Sequence, residues 1–193
     1  MDRWVVGLDA WVIQDGNYGD FRRGDRVELA IEFSTEAVTS APAMSVGIVS
    51  DLGEGEYDAV GTVVYSDRSL WIVDIGICAY SELPPDLDVV AGSRVRGGFK
   101  LEVDPFMYVE QHARSPAVPP LVYTWQLEQI RRQAAPLVET ASGHFERDRS
   151  RWSWSAVEAT DAWNDDGGYA TYLLECVRLP EPPKRTSATA VTG

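Results

Sequence analysis

Two aspartates interrupt runs that are otherwise apolar: Asp9 within Val6-Gly7-Leu8-Asp9-Ala10-Trp11-Val12, and Asp74 within Trp71-Ile72-Val73-Asp74-Ile75-Gly76. A carboxyl group that faces a barrel interior loses hydration, so its pKa rises and it becomes suited to general acid–base work. On a solvated strand face the same residue would pair with an arginine or a backbone amide and need no further role. Histidine, the usual acid–base residue near neutral pH, occurs twice, as His112 and His144, both in polar, loop-like surroundings. Neither adjoins a nucleophile pattern, and the chain has no G-x-S-x-G elbow, H-E-x-x-H or P-loop. The segment Asp161–Gly168 has the look of a calcium loop. Aligning Gly167 with the loop glycine puts Ala162 at the first ligand and Leu173 at the bidentate glutamate, so a polar hairpin turn is the expectation. No metal or cofactor is expected from these motifs.

A second constellation is made of arginines and aromatics. Arginines gather at Arg22, Arg23 and Arg26, at Arg94 and Arg96, at Arg131 and Arg132, and at Arg147, Arg149 and Arg151. Tyr18, Phe21, Trp125, Phe145, Trp152 and Trp154 accompany them. Exposed aromatics with arginine hold single-stranded nucleic acid by stacking and charge neutralisation, and the same mixture dominates protein interfaces. It also arises when arginines balance carboxylates and aromatics fill a core. Tyr18, Phe21, Arg22, Arg23, Trp125, Trp152 and Trp154 are the binding candidates of this reading. The net charge of −13, from 17 basic and 30 acidic residues, opposes a phosphate backbone or anionic membrane and favours a basic partner.

These residues must be carried on strands. Gly24-Asp25-Arg26-Val27 leads into a run with Val27, Leu29, Ile31 and Phe33 on one side and Arg26, Glu28, Ala30, Glu32 and Ser34 on the other. Gly92-Ser93-Arg94-Val95 repeats the device, setting Val95, Gly97, Phe99, Leu101 and Val103 against Arg94, Arg96, Gly98, Lys100, Glu102 and Asp104. Strict alternation of this kind predicts strands with one face in a core and one in water, each started by a turn glycine. Further strands are predicted over Trp4–Gln14, Met44–Val49, Tyr57–Tyr65 and Leu70–Tyr80, the last apolar on both faces and so central. Leu121–Arg132 alternates as a strand, although Leu127, Ile130, Ala134 and Leu137 also fit a helical face. Strand is the preferred reading. Trp152–Trp163 and Tyr169–Leu179 are expected to form a closing hairpin around Asn164–Gly168.

The strands Arg26–Ser34, Tyr57–Tyr65, Leu70–Tyr80 and Arg94–Asp104, about the first 110 residues, resemble an oligonucleotide/oligosaccharide-binding (OB) barrel in pattern, with no matching functional motif. The resemblance implies ligand binding through one barrel face and its loops. The fold expected is therefore an all-β, mainly antiparallel OB-like barrel or sandwich with an added C-terminal β-hairpin. It would occupy residues 1–180 as a single domain, followed by a disordered tail over 181–193 rich in Pro, Thr and Ala. Cys78 and Cys176 sit in apolar runs without metal-like spacing and are expected as free thiols. Met1-Asp2-Arg3 opens no secretory leader pattern, so a cytoplasmic location is expected, and no apolar run approaches the ~20 residues of a bilayer span. Scarce lysine (Lys100 and Lys184) with abundant arginine fits a GC-rich bacterial coding sequence. Three functional readings follow. A non-catalytic module binding a basic protein or a small ligand stands first. An OB-type single-strand binder and an enzyme using buried Asp9 and Asp74 are the alternatives.

Overall fold

The computed structural model describes residues 3–43, 45, 47–83, 85 and 87–186. Its strands, in chain order, are β1 (Arg3–Asp9), β2 (Arg26–Leu29), β3 (Ile31–Ser34), β4 (Val38–Ser40), β5 (Val49–Gly53), β6 (Glu56–Ser66), β7 (Trp71–Asp74) and β8 (Cys78–Ser81). After them come β9 (Arg94–Val103), β10 (Tyr123–Ala134), β11 (Leu137–Ala141), β12 (His144–Arg147), β13 (Ser153–Val157) and β14 (Thr171–Arg178). One short helix, α1 (Ala10–Gln14), and a π-turn over Tyr108–His112 are the longest helical pieces.

Five strands close a ring. β9 pairs antiparallel with β3 and β6, β6 with β7, β7 with β8, and β8 returns to β3 through a parallel contact, Glu32 opposite Tyr80. This is a closed, mixed five-stranded β-barrel with extra strands, in agreement with the all-β barrel expected from the sequence. β1 extends it from β9 through a parallel contact at Gly7 and Glu102, and β14, β10 and β13 follow in order. The inward positions of the two alternating runs fill the core: Val27, Leu29, Ile31, Phe33, Val95, Phe99, Leu101 and Val103 are all buried. Phe33 packs edge-on against Trp71 at 4.9 Å and Phe99 at 5.2 Å, contacts worth about 0.5–1.5 kcal/mol each beyond area burial. Gly24 and Gly92 have φ of +87° and +92°, which is why a glycine precedes each run.

Several boundaries differ from the sequence reading. The run Arg26–Ser34 is two strands, because the chain changes partner at Ala30: β2 pairs with β10 and β3 with β9. The freed Ala30 carbonyl accepts the Asp104 amide at 3.1 Å. The first strand ends at Asp9 because its partner β14 begins opposite, at Thr171. The chain then coils into α1, whose Gln14 side chain donates to the carbonyls of Ala162 and Gly168. Leu70–Tyr80 is a tight hairpin, β7 and β8, turned at Gly76 with φ +114°. The closing hairpin does not form between β13 and β14, since both pair with β10 from opposite sides. Of residues 121–132, those from Tyr123 onward are strand, the start of β10. A bulge between Leu127 and Gln129 returns Ile130 to the core, and that extra residue is what mimics helical spacing. Met44 and Val46 lie outside the described residues, and the strand expected there begins at Val49.

The segment after β9 covers the outer face of the barrel. Tyr108, Val118, Leu121 and Val122 pack on Ala30, Leu70, Ile72 and Tyr80 to form a second, smaller core. That cover explains the double-sided apolarity of Leu70–Tyr80, with Trp71 and Val73 in the main core and Ile72 and Tyr80 in the second. It also overturns one assignment: Asp104, expected on the solvent face, is fully buried. Residues 181–186 of the expected tail are docked. Glu181 pairs with Arg26, Lys184 bridges Val122 through the backbone, and Arg185 donates to the carbonyls of Ala113 and Ser115. Residues 187–193 lie outside the described residues. Among the described residues no helix is long and apolar enough to cross a membrane.

Candidate functional site

The outer face of β1, β9, β14, β10 and β13 carries an open cleft of about 450 Å³. Register builds it. Gly7 and Asp9 on β1 stand opposite Leu173 and Thr171 on β14, Gly7 also meets Glu102 on β9, and Gln133 on β10 stands opposite Trp154 on β13. Residues two apart share a strand face, which brings Lys100 beside Glu102 and Trp152 beside Trp154. Gly7 keeps the floor low: a Cβ there would stand 3.2 Å from Glu102 Cγ. Glu54 and Glu56, from the turn into β6, close one wall.

The cleft is acidic and aromatic. Its carboxylates are Asp9, Glu54, Glu56 and Glu102, and its one lysine is Lys100, whose Nζ donates to Glu102 Oε1 at 2.7 Å. Desolvation works against the Lys100 charge, yet the hydrogen bond and charge of Glu102, with Asp9 and Glu56, outweigh it and hold the ammonium above its ordinary pKa. Asp9 accepts from Thr171 Oγ1 at 2.8 Å. Trp152 is 51% exposed, and the indole Nε1 of Trp154 is buried with no acceptor in the protein. A neighbouring depression of about 560 Å³ shares Gln133, Trp152 and Thr171 and adds Asp166 and Tyr169. Carboxylates beside exposed indole and phenol rings are a chemistry that can attract a cation, by charge and by cation–π interaction.

A second cluster is buried and has a different chemistry. Asp104 Oδ1 accepts from the Tyr80 hydroxyl at 2.5 Å and from the Tyr108 amide at 3.2 Å, while Oδ2 has no partner. Burial pushes its carboxyl up to about 6 despite those hydrogen bonds. Glu32 is pushed up to about 8 by burial and then by the charges of Asp104, Glu102 and Glu82. Nearby, Glu82 is paired with His112 at 2.7 Å. Asp104 has no exposed surface to offer a substrate, so this cluster is a coupled pair of carboxyl groups within the fold's second core.

The sequence-derived candidates separate into three sets. Asp9, Trp152 and Trp154 converge in the cleft. Tyr18, Phe21 and Trp125 are core residues, exposed 3%, 2% and 0%, and offer no stacking surface. Arg22 and Arg23 are exposed elsewhere, with Arg23 paired to Glu158 at 3.3 Å. Asp74 is exposed, caps the Gly76 amide at 2.8 Å and lines a different cavity from Asp9, so the pair does not form the shared, desolvated site that acid–base work would require. In the Asp161–Gly168 loop, Asp165 is committed to Arg132 and to the Tyr172 hydroxyl. Cys78 and Cys176 are free thiols. Sequence reasoning missed Glu54, Glu56 and Gln133 as cleft residues, and Tyr169 in the depression beside it. Lys100 and Glu102 were legible as outward positions, though nothing local marked them as lining a cleft.

No protein family, curated protein or solved structure matches the chain.

Proposed function

We propose that this chain is a non-catalytic binding module whose cleft takes a cationic group, an ammonium or guanidinium, presented by a basic partner protein or a small ligand. The observation that carries the reading is the convergence of Asp9, Glu56 and Glu102 on the ammonium of Lys100, in a cleft that Trp152 and Trp154 also line. Four carboxylates against one ammonium leave the cleft lining net negative, which favours a further cation. The net charge of −13 acts in the same direction, drawing basic partners from a distance and weakening with salt.

The test uses N-acetyl-arginine amide as probe and N-acetyl-glutamate amide as control, followed by tryptophan fluorescence and by the indole resonances of Trp152 and Trp154. The arginine probe should bind saturably and lose affinity as salt rises. Trp152→Ala, at an exposed position, should weaken it about fivefold, the equivalent of about 1 kcal/mol of cation–π attraction. Glu56→Gln should weaken it by a similar factor. Equal binding of the two amides, or no effect of Trp152→Ala, would remove the proposal.

A further inference from the structure

The acidic cleft does not end at its own walls. On one side Gln133, Trp152 and Thr171 also line the 560 Å³ depression that holds Tyr169. On the other, Glu56 and Lys100 also line a third hollow of about 510 Å³, bounded by the β3–β4 turn, by Leu52 of β5 and by Gly98 of β9. Strand register sets the three hollows on one face. Thr171 on β14 stands opposite Asp9 on β1, Gly7 opposite Glu102 on β9, and Lys100 opposite Glu56 on β6. Lys100 and Gly98 follow Glu102 at two-residue steps, and residues two apart point to the same side. The face therefore crosses five strands, from β10 to β6, a width of about 19 Å at the usual strand spacing. Tyr169 at one end is 87% exposed and Leu52 at the other 62%, and a Cβ at Gly98 would meet nothing within 4 Å. Exposed apolar side chains rimmed by polar ones mark interaction sites.

Charge selects the occupant of this face. Carboxylates recur along it: Glu146 and Asp166 at one end, Asp9 and Glu102 in the middle, Glu56 and Glu36 at the other. Among the described lining residues Lys100 is the single cation, and Glu102 already answers its charge at 2.7 Å. A polyanion is repelled, and a second copy of the chain brings the same net charge of −13. Residues 187–193 carry no basic side chain, so the chain's own terminus does not complement the carboxylates. An extended chain advances about 3.3 Å per residue and turns alternate side chains to one side, so about six residues span the face and present half of their side chains to it. We propose that the cleft and its two flanking hollows form one docking face for an extended basic polypeptide segment with arginine or lysine at alternate positions. The cleft takes one cationic side chain and the flanking hollows take its neighbours. This extends the cation-binding reading of the cleft, on which it rests for the chemistry of the occupant.

The experiment titrates the full chain by calorimetry, at one salt concentration, with acetyl-Arg-Ser-Arg-Ser-Arg-Ser-amide and with N-acetyl-arginine amide. The hexapeptide should bind about tenfold more tightly, since two further exposed charge contacts add about threefold each. Glu36→Gln, in the hollow beyond Lys100, and Tyr169→Ala, at the opposite end, should each weaken the hexapeptide about threefold. Glu110→Gln, at an exposed carboxylate of the π-turn, makes the same change in net charge as Glu36→Gln and should leave the hexapeptide unaffected. Gly98→Leu alters no charge. By occupying the hollow it should weaken the hexapeptide by a similar factor and leave the arginine amide as in the wild type. A hexapeptide no tighter than the amide overturns the docking face. So does an affinity indifferent to Gly98→Leu, Glu36→Gln and Tyr169→Ala, or a loss in Glu110→Gln equal to that in Glu36→Gln. An amide that fails to bind, while the hexapeptide still responds to the three variants, sinks the single-cation reading of the cleft and supports the extended face.

Discussion

Replacing Glu32 by Gln should make the protein more stable at pH 8 and leave it nearly unchanged at pH 5. Glu32 stands on β3 directly opposite Glu102 on β9, and like charges in that position repel. Asp104 and Glu82 add to the repulsion, and burial raises the carboxyl from 4.5 to about 8. A pKa raised on folding means that the native state holds a proton the unfolded chain releases. The stability linked to that proton is complete below about 4.5 and is lost as pH rises through 8. At about 1.4 kcal/mol per pH unit, the interval sets a ceiling near 5 kcal/mol. Partial solvent access and the linked titration of Asp104 bring the expectation to about 2 kcal/mol. The measurement is urea unfolding at pH 5, 6.5 and 8 for the wild type, Glu32→Gln and Glu36→Gln, the last an exposed carboxylate that controls for net charge. Wild type and Glu36→Gln should lose stability together across the range, and Glu32→Gln should lose about 2 kcal/mol less. Parallel profiles for all three would refute the reasoning.

Tyr80→Phe removes the hydroxyl that donates to Asp104 at 2.5 Å and should cost about 1.5–3 kcal/mol in urea unfolding at pH 8, where Asp104 is ionised. The cost should shrink at pH 5, below the value of about 6 to which Asp104 is raised. Gly97→Ala would set a Cβ 2.6 Å from the Ala37 carbonyl and 2.9 Å from Val38 Cγ1, prising β4 from β9. A loss of about 1–3 kcal/mol should show in thermal unfolding, against little change for Gly98→Ala, whose Cβ meets nothing within 4 Å. Burial raises the thiol pKa of both cysteines, and Cys176 is the more deeply buried. In the native protein a disulfide reagent should therefore label Cys78 first and reach Cys176 only on unfolding.

The barrel strands were legible because alternation needs only neighbouring residues. Val27 to Phe33 and Val95 to Val103 declared their buried side without reference to any partner. What depended on a partner was not legible. Nothing in Arg26–Ser34 shows that β10 and β9 divide it at Ala30, and nothing at Asp9 shows that β14 stops there. Asp104 continues the outward series of β9, yet it is buried because residues 106–122 fold over it. The cleft followed the same pattern: Asp9, Trp152 and Trp154 stood out by type, while Glu54, Glu56 and Gln133 gained their place only through register. Tyr18, Phe21 and Trp125 misled because an aromatic beside an arginine in sequence says nothing about which of the two reaches solvent.

The seven-residue pairing of β1 with β14 joins Arg3–Asp9 to Thr171–Val177, and it has a consequence for how the chain is made. A ribosome releases β1 before it has translated β2 to β13, all of which precede its antiparallel neighbour. Until then the strand that holds Trp4, Val6 and Leu8 has an open hydrogen-bonding edge and an apolar face. Native closure therefore waits for β14, with the high sequence separation that slows folding. A chain truncated before Thr171 would be prone to self-association through β1.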